Sequence, residues 1–214
     1  QFKDLNVAQN ERAHKQRNKL AFDLAKEKLM TAMVTYGGYA QTYYKTDADN
    51  PAYAVLSEFD LQIPNISEVT ADTIGEELSA AGENIGISYK SQKLGLDSSI
   101  YMSSLFILDS GAVIEDYAFE LTYTENHVEK TKTVTPVQDG EGYRIIIEDI
   151  PAAYLDYMYK ITVTKIATGE AYTLTSSVTA WIKRCLNAST QPDDLKDMAR
   201  AMYLYNWIDR KSVV

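Results

Sequence analysis

The middle of the chain alternates between apolar and polar residues in segments separated by turns, and this pattern restricts the fold most. Tyr117, Phe119 and Leu121 alternate with small or polar residues, and the same period of two returns between residues 159 and 164. Side chains of a strand point to opposite faces in turn, so each segment predicts a half-buried strand. Turn residues at 125–127 and 167–170 separate consecutive strands at hairpin spacing. The pattern predicts an α+β fold, an antiparallel immunoglobulin-like β-sandwich flanked by N- and C-terminal helices.

Helical periodicity brackets these strands. Apolar residues recur every three or four positions between residues 8 and 44, and two further helical stretches follow residues 177 and 192. The long first stretch must end before Pro51, because proline cannot continue a helix. We expect an N-terminal helical segment over residues 1–46, and a β-sandwich with a C-terminal helix pair over residues 47–214. Ile161 and Met202 are expected in the core. The predicted face of the first helix consists of Phe22, Ala25, Leu29, Ala32, Met33, Tyr36 and Ala40.

The two ends of the chain repeat one short pattern. Residues 29–37 and 198–206 both read apolar, two variable positions, Ala, Met, two variable positions, Tyr, and then Gly or Asn. The spacing between them is that of a whole domain rather than of a solenoid repeat. We interpret residues 1–46 as the closing helix of a preceding module. Met33 and Tyr36 should then pack as Met202 and Tyr205 do, or against them.

Composition excludes several classes of partner. The net charge of -9 argues against nucleic acid and anionic lipid, since both require a basic face. No apolar run has the length of a membrane span, so membrane insertion is not expected. The single cysteine, Cys185, lies on an apolar helical face and is expected to be a core thiol. Sixteen tyrosines against 5 phenylalanines indicate many half-exposed aromatic positions, which are common on binding faces.

Three segments of the chain are distinctive: LMTAMVTYGGYAQTYY at residues 29–44, IEDIPAAYLD at 147–156 and LKDMARAMYLYN at 195–206. Together they resemble an uncharacterised module of large secreted or surface proteins from anaerobic gut Firmicutes. The family repeats these as "AMLNYGAYAQTYF", "I-x-x-I-P-A-x-x-L-D" and "LKxLxKALYLYNQ" segments. Residues 1–20 fall outside the match, and Trp207 replaces an expected small residue. The resemblance implies an extracellular or cell-surface setting with neighbouring modules of the same polypeptide as partners. It carries over no catalytic residue.

The sequence contains none of the common catalytic or cofactor-binding motifs considered below. His14 and His127 have no metal-ligand spacing, and no P-loop, Gly-x-Ser-x-Gly or dinucleotide motif occurs. Glu148 and Asp149 are neighbours in a predicted strand, so they should point to opposite faces rather than act as a glycosidase pair. We expect no enzyme activity, no cofactor and no resident metal. A weak calcium site at Asp47 and Asp49 stays open, although Pro51 and Ala52 occupy the positions where a ligand and a glycine are needed.

The leading functional interpretation is a non-catalytic spacer or adhesion module, and the alternative is a carbohydrate-binding module that uses exposed aromatic residues. The partner would then be a glycan or a host surface protein. The candidates for stacking on sugar rings are Tyr43, Tyr44, Tyr101, Tyr143, Trp181 and Trp207. Tyr157 or Tyr159 is a candidate for a tyrosine corner, in which the hydroxyl bonds to the backbone at the entry of a late strand.

Overall fold

The computed structural model describes residues 2–44, 65–96, 99–125 and 128–212, and it has the predicted α+β class. Helices α1 (Phe2–Tyr44), α2 (Val178–Asn187) and α3 (Asp193–Ser212) bracket two antiparallel sheets. The chain forms two compact units. The helical unit contains residues 1–68 and 192–214, and the β unit contains residues 69–191. The boundary predicted after residue 46 stays a prediction.

Helices α1 and α3 pack together in the helical unit through small residues. Ala32 and Ala201 are 1% and 0% exposed, so each helix approaches its neighbour at an alanine. The rings of Tyr36 and Tyr205 stack with centroids 6.4 Å apart and an interplanar angle of 11°. The repeated pattern therefore correctly predicts that Tyr36 packs with Tyr205.

The same pattern is wrong about Met33. Met33 is 52% exposed, whereas Met202, at the equivalent place in the second copy, is 1% exposed. The buried face of α1 is rotated from the predicted one, and it runs through Thr31, Ala32 and Thr35. Both threonines donate their hydroxyls to carbonyls one turn earlier, Thr31 to Glu27 and Thr35 to Thr31, at 2.9 and 2.7 Å. Bonds of this kind satisfy the threonine hydroxyl inside a helix interface. Polar residues can therefore occupy buried positions of α1 where the periodicity predicts apolar ones.

The described residues of the β unit form nine strands in two sheets. One sheet has the order β1-β9-β8-β4-β5, and the other has the order β2-β3-β7-β6. Every ladder is antiparallel, and four hairpins, β2-β3, β4-β5, β6-β7 and β8-β9, join neighbours in sequence. The bounds are β1 Ser79–Ala81, β2 Ile87–Leu96, β3 Ile100–Leu108, β4 Tyr117–Glu125, β5 Val128–Thr133, β6 Val137–Asp139, β7 Gly142–Ile150, β8 Tyr159–Lys165 and β9 Ala171–Ser176.

The two sheets contact each other through aromatic and aliphatic side chains, an arrangement compatible with a β-sandwich. The ring of Phe106 on β3 meets the ring of Phe119 on β4 edge to face, with centroids 6.0 Å apart. Ile161 is 0% exposed, so its predicted place in the core is confirmed, as is that of Met202 in the helical unit. Cys185 is also buried, on the inner side of α2.

Candidate functional site

The six aromatic residues predicted to stack on sugars are distributed over both units. Tyr43 and Tyr44 lie at the end of α1 and Trp207 lies on α3, in the helical unit. Tyr44 and Trp207 are 47% and 46% exposed, and the rings of Tyr43 and Tyr44 meet edge to face at 5.0 Å. The other three, Tyr101, Tyr143 and Trp181, are half-buried in the β unit.

Tyr101 and Tyr143 do not form one row. Tyr101 pairs with Gly95 across β2 and β3, and its ring occupies the space where a Cβ on residue 95 would lie. Tyr143 pairs with Phe106, which lies five positions further along β3 than Tyr101, so the two tyrosines face opposite sides of the sheet. Tyr101 therefore covers the glycine on the sheet surface. Sugar stacking by any of the six residues stays a prediction.

The β unit contains a cavity of about 300 Å³ that the sequence analysis does not predict. We name it the tyrosine cleft. Its aromatic wall consists of Tyr123, Tyr154, Tyr157 and Tyr159. Its charged residues are Glu125, Lys132, Glu148 and Asp149. Its apolar residues include Ile147, Pro151 and Met158.

The end of β4 forms one side of the cleft. The inward-facing residues of this strand are buried from Tyr117 to Leu121, then Tyr123 is half-buried and Glu125 is exposed. Strand β8 pairs with β4 only as far as Thr122, so it leaves the last residues of β4 without a ladder partner on that side. The cleft therefore continues the inter-sheet core alongside the last residues of β4, beyond the point where β8 begins. Aromatic and charged side chains line it in place of the aliphatic ones of the core.

A pair of stacked tyrosines forms the opposite wall. The 3₁₀ turn Ala152–Tyr154 follows Pro151, and the amide of Tyr157 then donates to the carbonyl of Tyr154 at 3.1 Å. Residues three apart are eclipsed in such turns, which places the rings of Tyr154 and Tyr157 together at 4.6 Å and 22°. Leu155 between them is 0% exposed, and its carbonyl accepts the amide of Thr179 at 3.0 Å. The turn is thus anchored to the start of α2.

A bulge in β7 brings two acidic residues to the cleft. Between the pairs Met102–Ile147 and Ile100–Ile150, β7 advances three residues while β3 advances two. Asp149, within the bulge, has a positive φ of 54°. The bulge breaks the alternation of the strand. Both residues line the tyrosine cleft, and the bulge interrupts the regular alternation from which opposite faces are predicted for Glu148 and Asp149.

Cations offset part of the acidic charge at the cleft. Lys130 forms an ion pair with Glu125, and this hydrogen bond lowers the pKa of the Glu125 carboxyl. The ammonium of Lys132 lies 5.2 Å from the centroid of the Tyr123 ring, a cation–π distance. The lining consequently offers hydrogen-bond donors as well as acceptors around its aromatic surfaces.

A cluster of polar side chains around Gln92 forms hydrogen bonds to Tyr159, one of the residues that line the cleft. The side-chain amide of Gln92 on β2 donates to the Tyr159 hydroxyl at 2.7 Å and to the Ser104 hydroxyl at 3.3 Å. Its carbonyl accepts from Ser176 at 3.2 Å and from the guanidinium of Arg184 on α2. Every polar atom of the amide thus has a partner, as a buried amide requires.

Burial and the bond to Gln92 determine the protonation state and the hydrogen-bond partner of the Tyr159 hydroxyl. Burial raises the pKa of Tyr159 far above its ordinary value, so the phenol stays protonated. Because the Tyr159 hydroxyl bonds to the Gln92 side chain across the sheets, this residue differs from the predicted tyrosine corner, whose bond is to the backbone. Tyr157 as a corner residue stays a prediction.

Other predicted chemistry can be placed only partly. Asp47, Asp49 and His127 lie outside the described residues, as does the side chain of His14. Among residues 2–44, 65–96, 99–125 and 128–212, no three His, Cys, Asp or Glu side chains come together to hold a metal ion. In that same part of the chain, none of the helices is both long and apolar enough to cross a bilayer.

No family model, curated protein or solved structure matches this chain.

The sequence signals for the cleft were present but local. Tyr123 and Glu125 extend the alternation of β4 beyond its apolar part, and Tyr154 and Tyr157 are spaced by three after a proline. Neither signal reveals that the two segments meet, because their contact depends on the pairing of β4 with β8. The sequence around the bulge, residues 147–150, contains no glycine that would predict a positive φ there.

The positive φ of Asp149 predicts opposite effects for two substitutions. Asp149→Gly should leave the midpoint of urea unfolding unchanged or raise it, because glycine adopts this conformation without strain. Asp149→Val should lower the free energy of unfolding by about 1–3 kcal/mol, since a β-branched residue is strained there. Glu148→Gly is the matched control and should destabilise by about 0.5–1 kcal/mol, as glycine does in a strand. Equal losses of unfolding free energy in Asp149→Gly and Glu148→Gly would contradict backbone strain at Asp149.

Proposed function

We propose that this chain is a non-catalytic module of a bacterial cell-surface or secreted multidomain protein, with a spacer or adhesion role. The observation that carries the proposal is the strand order of the β unit. In immunoglobulin domains one sheet has the order A-B-E-D and the other contains C, F and G, with C′ added beside C in variable-type domains. With β2 as A, the sheet β2-β3-β7-β6 follows A-B-E-D, and the segment β9-β8-β4-β5 follows G-F-C-C′.

This assignment supports an immunoglobulin-like topology for the β unit. It places hairpins between A and B, C and C′, D and E, and F and G. Strand β1 adds to β9 at the far edge in an antiparallel sense. Sandwiches of this kind present loops at both ends of a rigid scaffold and serve widely in cell-surface recognition.

The proposed partners are neighbouring modules of the same polypeptide and a glycan or a host surface protein. Exposed apolar residues on the first helix support a neighbouring module as a partner. Leu20 and Phe22 are both 70% exposed on α1, which is more apolar surface than an isolated solvent-facing helix needs. A preceding module that packs on α1 would cover these side chains. The proposed location is the cell surface or the extracellular space.

Surface labelling tests the proposed location. Antibodies raised against the folded chain should label intact cells of the source bacterium, or precipitate a large protein from its culture medium. Labelling that requires permeabilised cells, together with a parent protein of the size of this chain, would overturn the proposal. A cytosolic protein of known location serves as the control for cell integrity.

Assays for esterase, protease and glycosidase activity should all show no turnover by the purified chain. The tyrosine cleft is where a reaction would be expected, because Glu148 and Asp149 both line it. Both residues are exposed, whereas a general acid of a glycosidase requires an apolar setting that favours its protonated form. Turnover of a glycoside that is lost in Glu148→Gln or Asp149→Asn, and retained in Glu120→Gln, would show that the chain is an enzyme.

Carbohydrate binding is the second candidate function. The stacked rings of Tyr154 and Tyr157, in a cleft with charged side chains at its edges, favour it. Flat aromatic surfaces bordered by a few polar groups are a common composition for small-ligand sites. The residues that would bind the sugar then differ from the six predicted from the sequence.

A further inference from the structure

We propose that the tyrosine cleft binds a neutral saccharide of one or two pyranose rings. The stacked pair of Tyr154 and Tyr157 supplies the aromatic surface through the outer face of one ring, and Glu148, Asp149 and Lys132 supply the hydrogen bonds. This proposal deepens the carbohydrate-binding candidate and rests on it.

The dimensions of the cleft limit the size of the ligand. Its volume of about 300 Å³ lies at the lower end of the range for small-molecule sites. The cavity continues the inter-sheet core at the end of the β unit, where β4 and β7 both end and β8 begins. A site of this volume holds a short saccharide, or one or two rings of a longer chain.

The stacked tyrosines provide a surface that is ordered before the ligand binds. The two rings lie 4.6 Å apart at 22°, and the buried Leu155 between them anchors their turn. A pyranose has a flat face of C–H groups that packs on an aromatic ring, while its hydroxyls project from its edge. Tyrosine suits this task because it offers a large amphipathic contact area with few rotatable bonds. A preordered surface lowers the entropy cost of binding.

The charged residues explain the preference for a neutral ligand. Each sugar hydroxyl both donates and accepts, and the cleft supplies both partners. The carboxylates of Glu148 and Asp149 accept, and the ammonium of Lys132 donates. An anionic sugar would be repelled by the carboxylates of Glu148 and Asp149, and the ammonium of a cationic sugar could form no hydrogen bond with that of Lys132, since both groups only donate. A neutral polyhydroxyl ligand uses both signs without that repulsion.

Calorimetric titration of the full chain tests the proposal. The probes are the neutral disaccharides cellobiose, maltose, lactose and N,N′-diacetylchitobiose, with the anionic digalacturonic acid and the cationic chitosan disaccharide for comparison. At least one neutral disaccharide should bind in the millimolar range or tighter. Tyr157→Ala and Glu148→Gln should each weaken that binding by about tenfold or more, equivalent to about 1.4 kcal/mol.

Two variants control for indirect effects. Tyr39→Ala removes a half-exposed tyrosine of α1, and Glu120→Gln removes an exposed carboxylate on the outer face of β4, so both should bind as the parent chain does. Glu148 is exposed, so its amide variant should keep the fold even if Tyr157→Ala does not, and the thermal melt of each variant checks this.

Three results would overturn the proposal. They are the absence of binding by every neutral disaccharide, a preference for either charged probe, or neutral binding that survives in both cleft variants. Absence of binding in a chain that labels at the cell surface would leave the proposed spacer role intact. Hydrolysis of a disaccharide during the titration would instead contradict the non-catalytic function.

Discussion

Truncation of Phe106 to alanine is expected to lower the free energy of unfolding of the β unit by about 3–5 kcal/mol. Phe106 is 0% exposed, and its ring meets Phe119 of the other sheet at 6.0 Å and Tyr89 of its own sheet at 6.3 Å, both edge to face. Its removal leaves a cavity at the contact between the sheets. Since a whole domain is stable by about 5–15 kcal/mol, a loss of this size should shift the urea midpoint strongly.

Ile166→Ala is the matched control for Phe106. Ile166 is 63% exposed at the end of β8, so its truncation should change the unfolding free energy by about 0.5 kcal/mol or less. Circular dichroism in the β region and tyrosine fluorescence should report one transition for both variants. Similar midpoints for the two variants would mean that Phe106 does not join the sheets in solution.

Truncation of Met202 to alanine is expected to lower the free energy of unfolding of the helical unit by about 2–4 kcal/mol. Met202 is 1% exposed and follows Ala201, which is 0% exposed. Packed helices depend on such buried side chains, because most helical stability in proteins comes from packing. The measurement is the thermal loss of the far-UV circular dichroism of the helices.

Met33 offers an internal control of the same residue type. It occupies the position in the first copy of the repeated pattern that Met202 occupies in the second, yet it is 52% exposed. Met33→Ala should therefore leave the melt nearly unchanged. A melt of Met202→Ala that coincides with that of the parent chain would show that α3 is an appendage.

The sequence was a good guide to the strands that bury apolar residues on one face. The alternating segments predicted around residues 117–121 and 159–164 correspond to β4 and β8. Each of these strands carries its own hydrophobic pattern, so local sequence is enough to predict it.

The sequence was a poor guide where tertiary contacts assign the positions. Strand β2 spans ten residues, although four consecutive polar residues at 90–93 interrupt its apolar pattern. Gln92 faces inward on β2, and its amide is satisfied by the polar cluster rather than by an apolar pattern. The tyrosine cleft cannot be predicted from the sequence for a related reason, since the bulge at Asp149 interrupts the regular alternation of β7.

The division of the helical unit between the two ends of the chain has a consequence for synthesis on the ribosome. Tyr36 leaves the ribosome early, but its stacking partner Tyr205 follows only after the whole β unit has been made. At translation speeds of about 5–20 residues per second, α1 waits on the order of ten seconds for α3. During that interval the exposed Leu20 and Phe22, and the alanine at position 32, are available to chaperones or to an adjacent part of a longer chain. The β unit can complete its sheets first, so we expect the closure of the helix pair around Ala32 and Ala201 to be the last step of folding.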